Sequence, residues 1–164
     1  MKSKTLYIAY GSNLNLPQMA SRCPTARIVG KSEIKDYELL FRGGRRNSVA
    51  TVEPLKGSCV PVLLWELKEK DLKVLDRYEG YPTLYRKEIL DVELNGRTTP
   101  SMVYIMNDGS PLGSPSDYYL NVIMEGYKSA GFDTEFLEQA MEKSIRLAGE
   151  QQQEQDNLFE MKWW

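Results

Sequence analysis

The chain of 164 residues contains no histidine. This absence excludes Ser-His-Asp and Cys-His catalytic machinery and any zinc site that uses a histidine ligand. Acid–base chemistry near pH 7 must then come from a carboxylate, lysine, tyrosine or cysteine whose pKa is displaced from its ordinary value. The missing histidine narrows the possible enzymes before any motif is considered.

Cysteine, net charge and long apolar runs are also scarce. The two cysteines, Cys23 and Cys59, do not indicate a disulfide framework, and both are predicted as small core residues. A net charge of −2 gives no electrostatic reason to expect a nucleic-acid partner. No apolar run approaches the roughly 20 residues that span a bilayer, and the N-terminus lacks a secretory pattern. We therefore expect a cytoplasmic protein with no nucleic-acid or membrane partner.

The periodicity of apolar residues predicts an α+β domain with strands first and helices last. Predicted strands cover residues 5–10, 26–34, 37–41, 48–53, 60–67, 85–94 and 99–106. Predicted helices cover residues 16–22 and 68–78, a segment that begins at the Ser114 cap and ends at Gly131, and a last one from Thr134 to Gly149.

Composition separates the C-terminus from the rest of the chain. Residues 1–149 are predicted to form a single domain, and residues 150–164 a loose polar tail. The tail ends in Trp163-Trp164, and two aromatic side chains are costly to expose. They are expected to dock either on the body of the protein or on a neighbouring subunit.

The N-terminal segment ends a short strand in Tyr10-Gly11-Ser12-Asn13-Leu14. Such a loop aims several backbone N–H groups at one point, where they can hold a carboxylate or a developing oxyanion without a charged residue. Taken alone, the segment is better interpreted as an ordinary turn, in which Gly11 supplies an unusual backbone angle and Asn13 or Asn15 caps a helix.

Glu79 stands at the end of a predicted helix, flanked by Tyr78, Tyr81 and Tyr85. A carboxylate enclosed by aromatic rings loses hydration, and its pKa rises toward neutrality. That is the property a carboxylate needs to move a proton at pH 7. Taken alone, Glu79 is better interpreted as an exposed acid before a Gly-Tyr-Pro turn.

Four segments together resemble the γ-glutamylcyclotransferase-like family, in order and spacing, over residues 5–146. They are Tyr10-Gly11-Ser12-Asn13-Leu14, Ser48-Val49-Ala50-Thr51-Val52, Leu75-Asp76-Arg77-Tyr78-Glu79-Gly80-Tyr81 followed by Tyr85, and Ser114-Pro115-Ser116-Asp117-Tyr118-Tyr119 followed by Gly126.

The resemblance implies a small mixed or antiparallel β-barrel with helices packed outside, and no metal or organic cofactor. It implies that Glu79 is the catalytic residue. The residues it implies for binding the γ-glutamyl substrate are Tyr10, Gly11, Ser12, Asn13, Leu14, Tyr85 and Tyr119.

The activity implied by the resemblance is conversion of a γ-glutamyl amino acid or amine to 5-oxoproline and a free amine. The α-amino group of the substrate attacks its own γ-carbonyl. The alternatives are an enzyme for γ-glutamylamines or a γ-glutamyl biosynthetic intermediate, and a non-catalytic module that binds a γ-glutamyl group or 5-oxoproline. The sequence leaves open whether the protein is a monomer or a homodimer.

The arginines of the segment 42–47 lead to one further hypothesis. If Arg45 or Arg46 reaches the mouth of the pocket, a leaving group that carries a carboxylate is favoured.

Overall fold

A five-stranded mixed sheet and four α-helices make up the structure, a computed structural model that describes residues 3–163. The strands are β1 (Thr5–Ala9), β2 (Arg27–Gly43), β3 (Ser48–Leu67), β4 (Tyr85–Leu94) and β5 (Arg97–Met106). The helices are α1 (Leu16–Arg22), α2 (Glu69–Tyr78), α3 (Asp117–Ala130) and α4 (Thr134–Trp163), with a 3₁₀ turn at Ser12–Leu14. The strand order is β2-β3-β1-β5-β4, and of the strand pairs described only that of β1 with β5 is parallel.

The residues predicted as four short strands between 26 and 67 form two long ones, β2 and β3, which pair as one antiparallel hairpin. The predicted interruptions survive as irregularities. Asp36 has a φ of 62° at a bulge in β2, and Pro54 of β3 pairs with Tyr37 directly after that bulge. Pro61 lies beyond the last residue of β1, so β3 has only one partner strand there. Pairing between distant segments therefore overrides local strand-breaking residues.

The sheet curls until its two edge strands meet through side chains. The Ser32 hydroxyl of β2 donates to the Glu93 carbonyl of β4 at 2.6 Å, and a Cβ on Gly30 of β2 would lie 2.6 Å from the Leu94 side chain. No ladder joins β2 to β4 within residues 3–163. The expected α+β, barrel-like architecture is confirmed, with a sheet that is curled but not closed.

One continuous hydrophobic core joins the sheet to the helices. Every strand and every helix contributes to it, with representative residues Ile8, Met19, Leu39, Leu64, Leu75, Val92, Val103, Ile123 and Leu137. No helix in the described part of the chain is both long and apolar enough to cross a membrane.

Side-chain caps begin the helices that border the N-terminal loop. The Asn15 side chain accepts the Gln18 N–H at 3.1 Å and caps α1, as predicted. The cap of α3 is Ser116, whose hydroxyl accepts the Tyr119 N–H at 3.2 Å. The prediction of Ser114 as the cap was wrong, because the Ser114 N–H instead donates to the Arg45 carbonyl and belongs to the preceding loop.

Helix α4 is longer than the sequence predicts. It continues through Gly149 to Trp163, so the predicted end at Gly149 was wrong. A glycine costs only about 1 kcal/mol in a helix interior, which does not by itself end one. Residues 149–163 are all exposed, and Trp163, at 75% exposure, does not dock on the body of the protein. Trp164 lies outside the described residues.

Helix α3 presses directly on the loop that follows β1. A Cβ on Gly126 would lie 2.6 Å from the Leu14 Cβ and 2.8 Å from the Leu14 carbonyl oxygen. Beside this contact, the Asn15 amide donates to the Val122 carbonyl at 3.0 Å and to the Glu125 carboxylate at 2.9 Å. Gly126 is thus required by the close approach of the helix to the loop.

We expect Gly126→Ala to lower the free energy of unfolding by about 1 to 3 kcal/mol, because the added methyl group overlaps the Leu14 backbone. Gly149→Ala is the matched control, since nothing lies within 4 Å of its Cβ position and alanine favours a helix. The control is expected to keep or raise stability, by up to about 1 kcal/mol. Chemical denaturation measures both variants, and a Gly126→Ala protein as stable as the control would contradict the close packing.

Candidate active site

A cavity of about 220 Å³ lies where the loop after β1, the end of α2 and the first turn of α3 meet the sheet. It brings together three segments that are far apart in the chain, represented by Ser12, Glu79 and Tyr119. The residues that line it are Tyr7, Tyr10, Gly11, Ser12, Asn13, Val49, Ala50, Tyr78, Glu79, Leu84, Tyr85, Tyr104 and Tyr119.

All but one of the predicted site residues line this cavity. Those that do are Tyr10, Gly11, Ser12, Asn13, Glu79, Tyr85 and Tyr119. Leu14 does not: its side chain is fully buried beneath α3, and its N–H donates to the Gly11 carbonyl at 3.0 Å. Its contribution is to anchor the loop from behind.

Three residues of the loop line the cavity, and the 3₁₀ turn leaves their backbone N–H groups without a protein acceptor among residues 3–163. The turn uses the N–H groups of Leu14 and Asn15, which donate to the carbonyls of Gly11 and Ser12. In the described part of the chain, no protein acceptor takes the N–H groups of Gly11, Ser12 or Asn13. Three consecutive donors are therefore available to a ligand in the cavity.

Asn13 is the residue through which the loop is held. Its side-chain amide donates to the Tyr7 hydroxyl at 2.9 Å and accepts from Arg22 at 2.8 Å, and its backbone carbonyl accepts from the Trp65 indole at 3.2 Å. Ser12 adds a bond of 3.0 Å between its hydroxyl and that of Tyr78. The loop is pre-organised by these contacts before any ligand arrives.

Gly11 packs closely against β3 and α3, and its backbone is not left-handed. Its φ of −127° and ψ of −126° lie outside the helical and extended regions, so the unusual backbone angle expected at Gly11 is present, although it is not left-handed. A Cβ there would lie 3.3 Å from the Ala50 Cβ and 3.5 Å from the Tyr119 hydroxyl. A larger residue would separate the loop from β3 and α3.

The end of α2 points Glu79 into the cavity. The Glu79 N–H closes the last helical turn on the Leu75 carbonyl at 2.8 Å, and Gly80 turns the chain away with a φ of 64°. Only glycine adopts this left-handed conformation without strain. The chain therefore leaves the helix directly after Glu79.

The Glu79 carboxyl group has no hydrogen-bond or ion-pair partner among residues 3–163, although the residue is largely enclosed. Burial raises the pKa of this carboxyl from 4.5 to about 7, while the positive charge of Arg22 lowers it by a smaller amount. The group is thus poised between its two protonation states near neutral pH.

Buried tyrosines are fixed around Glu79 by hydrogen bonds to the backbone. The Tyr85 hydroxyl donates to the Ala50 carbonyl at 2.6 Å, and the Tyr119 hydroxyl accepts the Ala50 N–H at 3.0 Å. Burial raises the pKa of both hydroxyls above the ordinary value, so both remain protonated. Because the Tyr119 oxygen accepts from Ala50, its proton is available to a ligand.

Two tyrosines of the cavity, Tyr7 and Tyr104, were not singled out from the sequence. They come from β1 and β5, and their rings meet edge to face at 5.8 Å. Asp76 accepts the Tyr104 hydroxyl at 2.5 Å and pairs with Lys87 at 2.9 Å. The sequence places Tyr7 and Tyr104 in predicted strands but does not show that they belong to the site. The parallel pairing of β1 with β5 brings them to the same cavity.

Two of the tyrosines close to the motifs lie outside the cavity. Tyr118 is 74% exposed, and Tyr81 packs beneath the Lys87 ammonium group at 4.2 Å. Arg45 and Arg46 also lie elsewhere, in a separate cleft formed with the loop 111–114 and α4. The hypothesis that either arginine reaches the pocket mouth is therefore wrong. Arg22 is the arginine next to the cavity.

Among residues 3–163, Glu79 is the only carboxylate that lines the cavity. Within residues 3–163, no three Cys, Asp or Glu side chains come together in an arrangement that could hold a metal ion. The chemistry that the described groups can perform is proton transfer by Glu79 beside a set of fixed hydrogen-bond donors.

Known proteins are similar to this chain in both sequence and fold. The family model described as "Gamma-glutamyl cyclotransferase, AIG2-like" matches residues 7–124, which include the loop, Glu79, Tyr85 and Tyr119. The chain is 26% identical to a human γ-glutamylcyclotransferase, over 81% of this chain and 75% of the human one. It is 27% identical to the bovine γ-glutamylcyclotransferase, over 80% and 74% of the two chains.

A solved structure of a γ-glutamyl cyclotransferase superposes with a TM-score of 0.72 at 26% identity, covering 84% of this chain and 86% of that one. The family match and the fold therefore agree, and the chain belongs to the γ-glutamyl cyclotransferase, AIG2-like family.

Proposed function

We propose that the protein converts a γ-glutamyl amino acid or amine to 5-oxoproline and a free amine. The observation that carries this proposal is the Glu79 carboxyl group, which is enclosed, lacks a protein partner and has a pKa of about 7. Unpaired N–H groups of the Gly11–Asn13 loop line the same cavity. A proton carrier and an oxyanion site thus share one small space.

The size of the cavity suits the γ-glutamyl part of such a substrate. At about 220 Å³ it is smaller than the roughly 300 to 1,000 Å³ of sites that enclose drug-sized ligands. The γ-glutamyl group occupies the cavity in this proposal, and the leaving amine extends through the mouth. The tyrosine rings supply apolar walls that fold the chain of the substrate toward its cyclising shape.

The reaction forms one C–N bond and breaks another. The α-nitrogen of the substrate attacks its own γ-carbonyl carbon, which closes a five-membered ring, and the amide bond to the leaving nitrogen then breaks. The nucleophile is part of the substrate, so the protein lowers the barrier by holding the α-nitrogen and the γ-carbonyl carbon close together. Binding geometry is therefore the first contribution of this site.

Glu79 moves the proton that the reaction requires. Its ionised carboxylate accepts a proton from the α-ammonium group, which frees the nitrogen for attack, and then donates that proton to the leaving nitrogen. The N–H groups of Gly11, Ser12 and Asn13, with the Tyr119 hydroxyl, stabilise the negative charge that develops on the γ-carbonyl oxygen. The attacking nitrogen loses a second proton as the lactam forms, and that proton ends on the released amine, so the protein ends the cycle in its starting protonation state.

The alternatives concern the substrate and the need for catalysis. An enzyme for γ-glutamylamines or for a biosynthetic intermediate would use the same site with a different leaving amine. A non-catalytic module that binds a γ-glutamyl group or 5-oxoproline is less well supported. Binding alone does not need a carboxyl group that titrates near pH 7, whereas proton transfer does.

We infer that residues 1–149 carry the activity and that residues 150–164 are an extension. None of the described residues beyond Gly149 lines the cavity, and Phe159 and Trp163 are exposed. Deletion of residues 150–164 is expected to leave kcat/KM unchanged. The number of chains per particle is measured by size-exclusion chromatography with light scattering. A dimer that becomes a monomer on deletion would identify the extension as a dimer contact, and an unchanged oligomeric state would show that it is not one. A cytoplasmic location stays a prediction.

The activity itself is tested by mass spectrometry of purified protein with a panel of γ-glutamyl dipeptides and amines. We expect 5-oxoproline, and a Glu79→Gln variant is expected to lose about 10²- to 10⁴-fold in kcat. Glu69→Gln is the control, since Glu69 is an exposed acid on the same helix. Thermal stabilisation by 5-oxoproline without any turnover would support the binding module instead.

The pH dependence of kcat/KM should report the ionisation of Glu79. Because the carboxylate must accept a proton, we expect kcat/KM to fall about tenfold per pH unit below an apparent pKa of about 7. The residual rate of Glu79→Gln should lack this limb. An acid limb centred near the ordinary value of 4.5 would contradict the assigned role.

The stability of the protein should depend on pH through the same group. The folded pKa of about 7 lies above the ordinary value of 4.5, so the folded state binds the proton more tightly. Stability from this group is present below pH 4.5 and is lost as the pH rises to about 7. As the pH rises from 4.5 to 8, the wild type should lose this stability and Glu79→Gln should not. The free energy of unfolding of the variant minus that of the wild type should therefore increase by on the order of 1 to 3 kcal/mol. Urea denaturation at several pH values measures this difference, which a solvated Glu79 would not show.

A further inference from the structure

A groove continues outward from the cavity at its mouth. Three residues, Ser12, Tyr78 and Tyr119, line both the cavity and the groove. The outer part of the groove is bordered by Gln18 and Arg22 of α1 and by Tyr118 of α3. A ligand that fills the cavity and extends through its mouth therefore meets the end of α1.

Arg22 brings a positive charge to this groove. No lysine or arginine of the described chain lines the cavity itself. The Arg22 guanidinium lies 3.8 Å from the centre of the Tyr78 ring, and its Nη2 donates to the Tyr78 hydroxyl at 2.9 Å. Arg22 is also near enough to Glu79 to lower the pKa of that carboxyl. It is thus the cation that a bound substrate would meet.

The charge of Arg22 is not neutralised by the protein. Its acceptors are the Asn13 and Gln18 side-chain amides and the Tyr78 hydroxyl, all of them neutral. Within residues 3–163, no carboxylate oxygen lies within 4.0 Å of its nitrogens. These bonds use three of the five N–H donors of a guanidinium and hold it in place. Two donors and a full charge remain for a ligand.

We propose that this groove is the subsite for the leaving amine and that Arg22 binds a carboxylate carried by that amine. The inference rests on the proposed function and names its substrate class, γ-glutamyl α-amino acids in preference to γ-glutamyl amines. The other carboxylate of such a substrate is bonded to the same carbon as the attacking nitrogen. This α-carboxylate must therefore stay inside the cavity, near Glu79 and the loop. Arg22 remains free to bind the second carboxylate, which belongs to the leaving amino acid.

The test compares two substrates that differ by one carboxylate. γ-Glutamyl-alanine and γ-glutamyl-ethylamide contain the same γ-glutamyl group and the same N-ethyl skeleton. They differ only in the carboxylate that the alanine part carries. The measured quantity is the ratio of their kcat/KM values, from the rate of 5-oxoproline formation. Any effect of Arg22 on Glu79 or Asn13 is common to both substrates and cancels in this ratio.

We expect the wild type to favour γ-glutamyl-alanine by about tenfold or more, because a charge-assisted contact to a carboxylate is lost with the ethylamide. Arg22→Gln should reduce this preference about tenfold, and Arg22→Lys, which keeps the charge, should retain part of it. Arg77→Gln is the control, since Arg77 is an exposed arginine on α2 that does not line the cavity or the groove. Its ratio should equal that of the wild type.

Two outcomes overturn the inference while leaving the proposed function intact. One is a wild-type enzyme that uses both substrates equally, a result that needs no variant to fold. The other is an Arg22→Gln enzyme that loses activity on both substrates in the same proportion, which would assign Arg22 to the common γ-glutamyl part or to the loop. Failure of every substrate to yield 5-oxoproline would overturn the proposed function and the inference with it.

Discussion

The contact between Gly126 of α3 and the backbone of Leu14 is the constraint on which the site depends. It allows the helix to approach within the distance at which any Cβ would overlap the loop. The same helix carries Tyr119 into the cavity, and its carbonyl at Val122 accepts from Asn15. One close approach thus sets both the position of the loop donors and the wall opposite Glu79. Without it, the loop would lose its support from α3 and keep only the contacts of Asn13 and Ser12.

The electrostatics of the site follow from the absence of a charged partner for Glu79 among the described residues that line the cavity. Glu79 is enclosed by tyrosines that are themselves held by backbone groups, so no side chain neutralises it and its pKa rises to about 7. A chain without histidine obtains in this way a group that titrates near neutral pH. Arg22 lies at the mouth, where its charge lowers that pKa by less than burial raises it and stays available to a ligand. The proton-transferring group, Glu79, thus lies inside the cavity, while the positive charge of Arg22 lies at its mouth.

Short motifs predicted most of the candidate site. The Tyr10–Leu14 loop, Glu79, Tyr85 and Tyr119 were all identified from the sequence, and all but Leu14 line the cavity. The errors have a common cause. Tyr7, Tyr104 and Arg22 acquire their positions only through strand pairing and helix packing, and Arg45 lies elsewhere for the same reason. Similarly, local strand breakers led to the prediction of four short strands, while pairing on both sides of the irregularities joins them into β2 and β3.

The sequence by itself determined the kind of chemistry and its order along the chain. The absence of histidine, an acid among tyrosines and a Gly-Ser-Asn turn are local facts, because residue type and short-range backbone preference do not depend on the rest of the fold. Only the tertiary structure decided which of these groups face one another, which carboxylate loses its water and which arginine borders the pocket. Those properties arise from contacts between segments tens of residues apart, and the packing of α3 and α2 against the curled sheet creates them.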